Sequence, residues 1–227
     1  MKHSGKAWQA ALRLIVWATA AGGVVLCVGI LGNVGSTVFA ILLGLIALWV
    51  LFIIFTFCFF RDPEAKVPTG PNLVVSPAHG KVDVIDETTE PEFIGGPCRR
   101  ISIFLSVFDV HVQNAPVEGR IAFFKYKRGQ FLNALRTECA AVNENVLIGF
   151  APKERPGEKL GVRLVAGVIA RRIVPWVAAG DEVARGERIS LIQFGSRVEL
   201  YLPRSASIRI KLGDKVIGGE TVIAVFE

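Results

Sequence analysis

Cysteine and histidine are scarce, with four of the first and three of the second in 227 residues. Cys27, Cys58, Cys98 and Cys139 make no CxxC pair and no cluster with histidine. That spacing excludes a zinc finger and a small disulfide framework, and it suits unpaired thiols in a reducing compartment. No glycine-rich nucleotide-binding loop is present. No metal, no pyridoxal phosphate and no other added cofactor is therefore expected. The net charge is +6, but the lysines and arginines are scattered and no basic run interleaves with aromatics. Nucleic acid is not an expected partner; beside a hydrophobic anchor, an anionic membrane surface is the better one.

Hydrophobic residues are abundant, at 52% of the chain, and they concentrate before Phe60. Leu12 to Leu31 and Val38 to Phe60 are runs almost free of charge, each close to the roughly 20 residues that cross a bilayer as a helix. The uncharged turn Gly32-Asn33-Val34-Gly35-Ser36-Thr37 joins them. This pattern predicts an N-terminal transmembrane helical hairpin. Lys2, Lys6 and Arg13 flank one end, Arg61 and Lys66 the other, and the turn has no basic residue. The positive-inside rule then places both ends on the cytoplasmic side of the cell (inner) membrane. Two alternatives stand beside the full hairpin. The first run can be a cleaved signal peptide, or a re-entrant segment weakened by Gly22-Gly23.

The expected partition is an anchor at 1–61, a linker at 62–72 and a soluble domain at 73–227. In that domain short Val- and Ile-rich stretches alternate with Gly, Pro, Asn and Asp. Residues 73–75, 81–85, 100–105 and 120–124 read as strands. One short helix or helical turn is expected over 131–140, and the domain is expected to be mainly β.

Near the C-terminus, Gly180-Asp181-Glu182-Val183-Ala184-Arg185-Gly186-Glu187 is echoed by Gly213-Asp214-Lys215-Val216-Ile217-Gly218-Gly219-Glu220. An apolar strand follows each copy, at 189–194 and 221–226. Period alone supports two similar hairpins. The paired copies also resemble the halves of lipoyl and biotinyl domains, which implies a lipoyl or barrel-sandwich-like C-terminal part.

Leu191-Ile192-Gln193-Phe194-Gly195-Ser196-Arg197-Val198-Glu199-Leu200-Tyr201-Leu202-Pro203 reads as one strand interrupted by Gly-Ser. A β-branched residue would be the ordinary choice there. This segment resembles the self-cleavage site of phosphatidylserine decarboxylases in their short microbial form. Five more ordered blocks carry the same resemblance. They are Phe59-Phe60-Arg61-Asp62-Pro63, Val75-Ser76-Pro77-Ala78-His79-Gly80-Lys81-Val82, Phe104 to Val112 with Ala115-Pro116-Val117, Gly129 with Phe131-Leu132-Asn133-Ala134, and Ala166 to Val174.

The resemblance implies an inactive precursor that cuts itself between Gly195 and Ser196. Ser196 becomes a pyruvoyl group, and a β chain (1–195) and an α chain (196–227) stay associated. The pyruvoyl ketone would take the amine of phosphatidylserine or a related serine phospholipid and act as an electron sink. His111 is the best proton donor in the block that resembles the family's histidine element; its ordinary alternative is a hydrogen-bonded core histidine. Asn114 stands where longer members carry a second histidine. His79 stands where the family element has aspartate. Either His79 is itself the base that activates Ser196, or partners His111, or the chain is an uncleaved, silent relative. Arg171-Arg172, Arg197 and Lys125 to Arg128 are either headgroup contacts or a solvated basic face. A lipoyl-type carrier or adaptor is a rival function, but the hairpin tip Gly195-Ser196-Arg197 lacks the lysine that such a carrier modifies.

Overall fold

The computed structural model describes residues 3–31, 35–130, 142–167, 172–193 and 196–227. Two compact units divide the chain, one at Gly5–Asp62 and one formed mainly by Pro63–Glu227.

The first unit is a pair of helices, α1 (Lys6–Leu31) and α2 (Ser36–Phe59). Both are long and apolar enough to cross a membrane, with mean hydropathies of 1.8 and 3.1 in their candidate spans. The helix α1 runs unbroken through Gly22-Gly23, where the indole of Trp49 on α2 packs beside Gly22. At the end of α2 the Arg61 guanidinium donates to the Cys58 carbonyl at 2.6 Å. That bond satisfies a last-turn acceptor, and Pro63 prevents continuation.

The second unit is mainly β, and the pairings between its strands are antiparallel among the described residues. In chain order its strands are β1 (Leu73–Val75), β2 (Gly80–Glu90), β3 (Gly96–Leu105), β4 (Val112–Asn114), β5 (Gly119–Lys127), β6 (Asn145–Pro152) and β7 (Leu160–Ala166). Then follow β8 (Arg172–Pro175), β9 (Glu182–Val183), β10 (Arg188–Gln193), β11 (Ser196–Leu202), β12 (Ala206–Ile208), β13 (Lys215–Val216) and β14 (Val222–Phe226). The stretches expected as strands at 73–75, 81–85, 100–105 and 120–124 lie in β1, β2, β3 and β5. The helix expected over 131–140 lies outside the described residues, as does Cys139.

Three sheets form: an eight-stranded one ordered β13-β2-β3-β11-β7-β6-β5-β9, and two three-stranded ones ordered β1-β14-β12 and β4-β10-β8. All three contribute to one apolar core, through residues such as Val74, Ile103, Ile148, Leu164, Ile192, Leu200 and Phe226. Removing such side chains from water is the main stabilising term, at about 1.5–3 kcal/mol for each large one. The central strand β11 is buried along its whole length.

The arrangement has internal two-fold pseudo-symmetry, with the axis between β7 and β11. Val216 pairs with Gly80 as Val183 pairs with Gly119. Gly213 N donates to the Val82 carbonyl at 2.8 Å, and Gly180 N to the Ile121 carbonyl at 2.8 Å. Asp214 and Asp181 each accept, at 2.8 Å, from the backbone N–H three residues before them. The repeat therefore reaches beyond the C-terminal segment. Ser76-Pro77-Ala78-His79-Gly80-Lys81-Val82 is the counterpart of Ala115-Pro116-Val117-Glu118-Gly119-Arg120-Ile121. The two copies near the C-terminus lie in different halves, each paired with an earlier strand.

Gly80 and Gly119 are shared because the backbone leaves no room for a side chain. A Cβ at Gly80 would lie 2.3 Å from the Phe104 carbonyl oxygen, and one at Gly119 would lie 2.2 Å from that of Ala151. Gly80 also has φ of +151°, a conformation unfavourable for side-chain-bearing residues. Gly80→Ala is expected to destabilise the domain by roughly 3 kcal/mol, read as a lowered midpoint in chemical denaturation.

Candidate functional site

The strand expected to be continuous through Gly195-Ser196 is two strands in two sheets. β10 ends at Gln193 in a three-stranded sheet, and β11 begins at Ser196 in the eight-stranded one. Both halves carry the same dense apolar alternation, which hides the change of sheet in the sequence. Gly195 and Phe194 lie outside the described residues.

Ser196 is the first residue of β11 and is fully buried. It pairs with Leu105 on β3 and with Ala166 on β7. Its Oγ has no hydrogen-bond partner among the described residues. Buried hydroxyls normally have one, so this group stands out from the rest of the core.

His111 lies at the end of the connection that leaves β3 at Leu105, the residue opposite Ser196. That connection is tightened by its own bonds. Ser106 N donates to Asp109 Oδ2 at 2.8 Å, and Asp109 N donates to the Ser106 carbonyl at 2.9 Å. His111 is fully buried, with Nδ1 2.9 Å from the Asp109 carbonyl oxygen. A carbonyl only accepts, so in this bond Nδ1 carries the proton. The His111 carbonyl accepts from Ile192 N at 3.1 Å and from Gln113 Nε2 at 2.6 Å. Gln113 in turn accepts from Ser190 Oγ at 2.7 Å. The connection between β3 and β4 is thus pinned to β10 at one end and to β11 at the other, on both sides of the predicted cleavage bond.

His79 is half-buried in the turn that enters β2. Its ring and the Asn114 amide meet at one backbone point. A Cβ built on Gly218 would lie 3.0 Å from His79 Cδ2 and 2.8 Å from Asn114 Oδ1. Asn114 Nδ2 also donates to the Gly186 carbonyl at 2.9 Å, so this amide joins the two repeat copies. His79 and Asn114 are therefore neighbours. Gly80 lies one residue before Lys81, which pairs with Phe104 beside Leu105, so β3 separates the strand that His79 enters from the strand that Ser196 begins.

The pseudo-symmetry separates shape from chemistry. Pro77, Gly80 and Val82 have counterparts of the same kind in Pro116, Gly119 and Ile121. His79 does not: its counterpart Glu118 makes an ion pair with the exposed Lys153 at 2.6 Å. Gly218 likewise corresponds to Arg185, whose side chain would fill the space between His79 and Asn114. Sequence reasoning missed Gly218; the Gly218-Gly219 doublet in only one copy was the signal that it matters.

Farther along β11, Glu199 is 1% exposed and accepts from the Tyr201 hydroxyl at 2.5 Å. Burial, and then the adjacent Glu199, push the Tyr201 hydroxyl well above its ordinary value, so it remains a donor. Arg100 on β3 reaches the same carboxylate at 3.4 Å. Arg197, a candidate headgroup contact, is instead fully buried against Asp83, and its charge is satisfied inside the domain. Lys125, Lys127, Arg128 and Arg172 are exposed, and Lys125 pairs with Glu92 at 2.7 Å. Arg171 lies outside the described residues. Among the described residues no group of three or more His, Cys, Asp or Glu has metal-holding geometry.

The sequence profile described as phosphatidylserine decarboxylase matches residues 52–224. A phosphatidylserine decarboxylase proenzyme of Desulfotalea psychrophila is 45% identical over 169 residues, covering 74% of this chain and 78% of the relative. One of Symbiobacterium thermophilum is 42% identical over 196 residues, covering 84% and 90%. One of Zymomonas mobilis is 45% identical over 172 residues, covering 73% and 69%. With the match running from the end of α2 to β14, through every block that surrounds Ser196, this chain belongs to the phosphatidylserine decarboxylase family.

Proposed function

We propose that the chain is a membrane-anchored proenzyme. It cuts itself between Gly195 and Ser196, then converts phosphatidylserine to phosphatidylethanolamine and carbon dioxide. The observation that carries this reading is the buried Ser196 Oγ, which has no hydrogen-bond partner among the described residues. An unsatisfied buried hydroxyl costs about 1–3 kcal/mol, a cost with a reason when the group has a reaction to perform. The names of the relatives support the substrate and the precursor state.

Cleavage begins when Ser196 Oγ adds to the Gly195 carbonyl carbon and a base takes its proton. The Gly195–Ser196 C–N bond breaks, leaving an ester and a free amine on residue 196. Loss of the residue 196 α-proton expels Gly195 as a carboxylate. One water enters and one ammonia leaves, and residue 196 ends as a ketone. His79, held with Asn114 at the Gly218 turn, is the base in this reading. The burial of Ser196 between apolar neighbours fits such a group, because it excludes competing water.

Once formed, the pyruvoyl ketone captures the headgroup amine and withdraws electrons as carbon dioxide leaves. His111 keeps Nδ1 committed to the Asp109 carbonyl and delivers a proton from Nε2 to the carbon that lost its carboxylate. The α chain stays with the β chain, because β11 is paired on both sides by strands of 1–195.

The anchor is 1–61, the linker 62–72 and the catalytic domain 73–227. Both anchor ends face the cytoplasm. The repeat copies at 180–187 and 213–220 resemble the halves of a lipoyl or barrel-sandwich domain, the fold we assign to the C-terminal part.

The test uses full-length protein in mixed micelles of detergent and phosphatidylserine, with lipid mass spectrometry. Phosphatidylethanolamine is expected to accumulate one for one with substrate loss. His111→Ala is expected to be cut but to turn over about 10²–10⁴-fold more slowly. A fully cut wild-type protein that leaves phosphatidylserine unchanged overturns the substrate assignment.

A further inference from the structure

Arg197 is the largest fully buried side chain of the domain, and it follows Ser196 directly. Its Nη1 donates to Asp83 Oδ1 at 2.9 Å and its Nη2 to Asp83 Oδ2 at 2.6 Å. Nη1 also donates to the Ser102 hydroxyl. A two-pronged guanidinium–carboxylate pair fixes direction as well as distance. Burying such a charge is expensive and adds little to stability over apolar packing, so its presence calls for another role.

Asp83 owes its reach to a bulge. The register of β2 against β3 shifts between Val82 and Val84, and β5 against β6 shifts between Ile121 and Phe123 at the counterpart position. The bulge is therefore common to both halves and belongs to the fold. Its central residue is not common: it is Ala122 in one half and Asp83 in the other. The carboxylate occurs only in the half where it meets Arg197.

We infer that the Arg197–Asp83–Ser102 clamp is a positioning device that holds residue 196 in register after the chain is cut. The inference rests on the self-cleavage reading above. Cutting removes the covalent tether to Gly195, and the loss of ammonia removes the backbone nitrogen of residue 196. The new chain end then starts at the first residue of a strand, where ends fray. Arg197 is the first residue behind it that keeps both backbone groups. Asp83 and Ser102 belong to 1–195 and Arg197 to 196–227, so the clamp spans the cut. Arg100–Glu199 also spans it, but two residues farther in. That pair serves association of the chains, and the clamp serves placement of the reacting end. Arg197 and Asp83 are positioning residues that act through residue 196.

The test compares full-length wild type, Arg197→Lys and Asp83→Asn in detergent. Three readouts are taken: the cut fraction by intact mass, the association of the two chains by gel filtration, and kcat and KM per pyruvoyl group. Lysine keeps the charge but loses the fork. Both variants are expected to be cut and to keep their chains together. Their kcat per pyruvoyl should fall by about 10–100-fold with KM little changed, because small misplacements of reacting atoms cost that much. A purely structural clamp would lower the yield of folded protein and leave kcat per pyruvoyl intact. Ser102→Ala and Asp83→Glu provide milder variants should the first two fail to fold, with expected losses of about 3–10-fold. Normalised kcat within about twofold of wild type in the variants that fold overturns the clamp. Wild-type protein that stays uncut overturns the cleavage reading first, and the clamp with it. Cut wild type with fully active variants overturns the clamp alone.

Discussion

Ser196→Ala is expected to leave a single uncut chain of 227 residues with no turnover above the buffer level. The change removes one buried oxygen that bonds to nothing described, and the methyl group fits the space left. Loss of an unsatisfied polar atom relieves a penalty instead of creating one. The variant should therefore fold at least as well as any other uncut form, by up to about 1–2 kcal/mol. Most core substitutions behave in the opposite way, costing stability. An inactive protein that is also no less stable identifies Ser196 as a group kept for chemistry. Intact mass and thermal melting of the same sample check both halves of this result. Chain cutting in Ser196→Ala would show that another residue is the nucleophile.

His79→Ala is expected to stop self-cleavage or slow it by at least about 10²-fold, the range associated with loss of a general base. His79→Asp, which restores the family residue, should retain cutting. The His79 ring and the Asn114 amide both pack on Gly218, and the turn carrying His79 leads into Gly80, where an added Cβ would collide with the Phe104 carbonyl oxygen. Glu118 is the built-in comparison: it has the same backbone setting in the other half of the domain and makes only a surface ion pair with Lys153. Glu118→Ala should leave cutting unchanged. A time course of cutting in freshly translated precursor separates these outcomes. Efficient cutting by His79→Ala removes His79 from the mechanism.

Much of this site was legible because its residues are rare. Three histidines and a glycine-serine pair within an apolar stretch are few enough to be weighed singly. The burial of His111 and Ser196 then followed from the strands on either side of them. What could not be read were features set by pairing between distant residues. Asp83 and Arg197 lie 114 positions apart, and the bulge that brings the carboxylate inward leaves no mark in the alternation of β2. The change of sheet between β10 and β11 was hidden because both strands carry the same alternation of apolar residues. The duplicated halves were visible near the C-terminus, where seven-residue spacings of Gly, Asp, Val and Glu repeat. In the first half only Pro, Gly and the basic-apolar pair survive in common, too little to recognise without the matching hydrogen bonds. The two apolar helices gave the clearest signal, since each run is long and apolar enough to span a bilayer.

The most direct measurement of the central claim is the intact mass of purified wild-type protein after incubation with membranes. The account predicts two chains. The larger ends at Gly195, and the smaller starts at residue 196 and is lighter than a serine-started peptide by the mass difference expected for replacing its amine-bearing terminus with pyruvoyl. A single full-length mass that persists through prolonged incubation would contradict it.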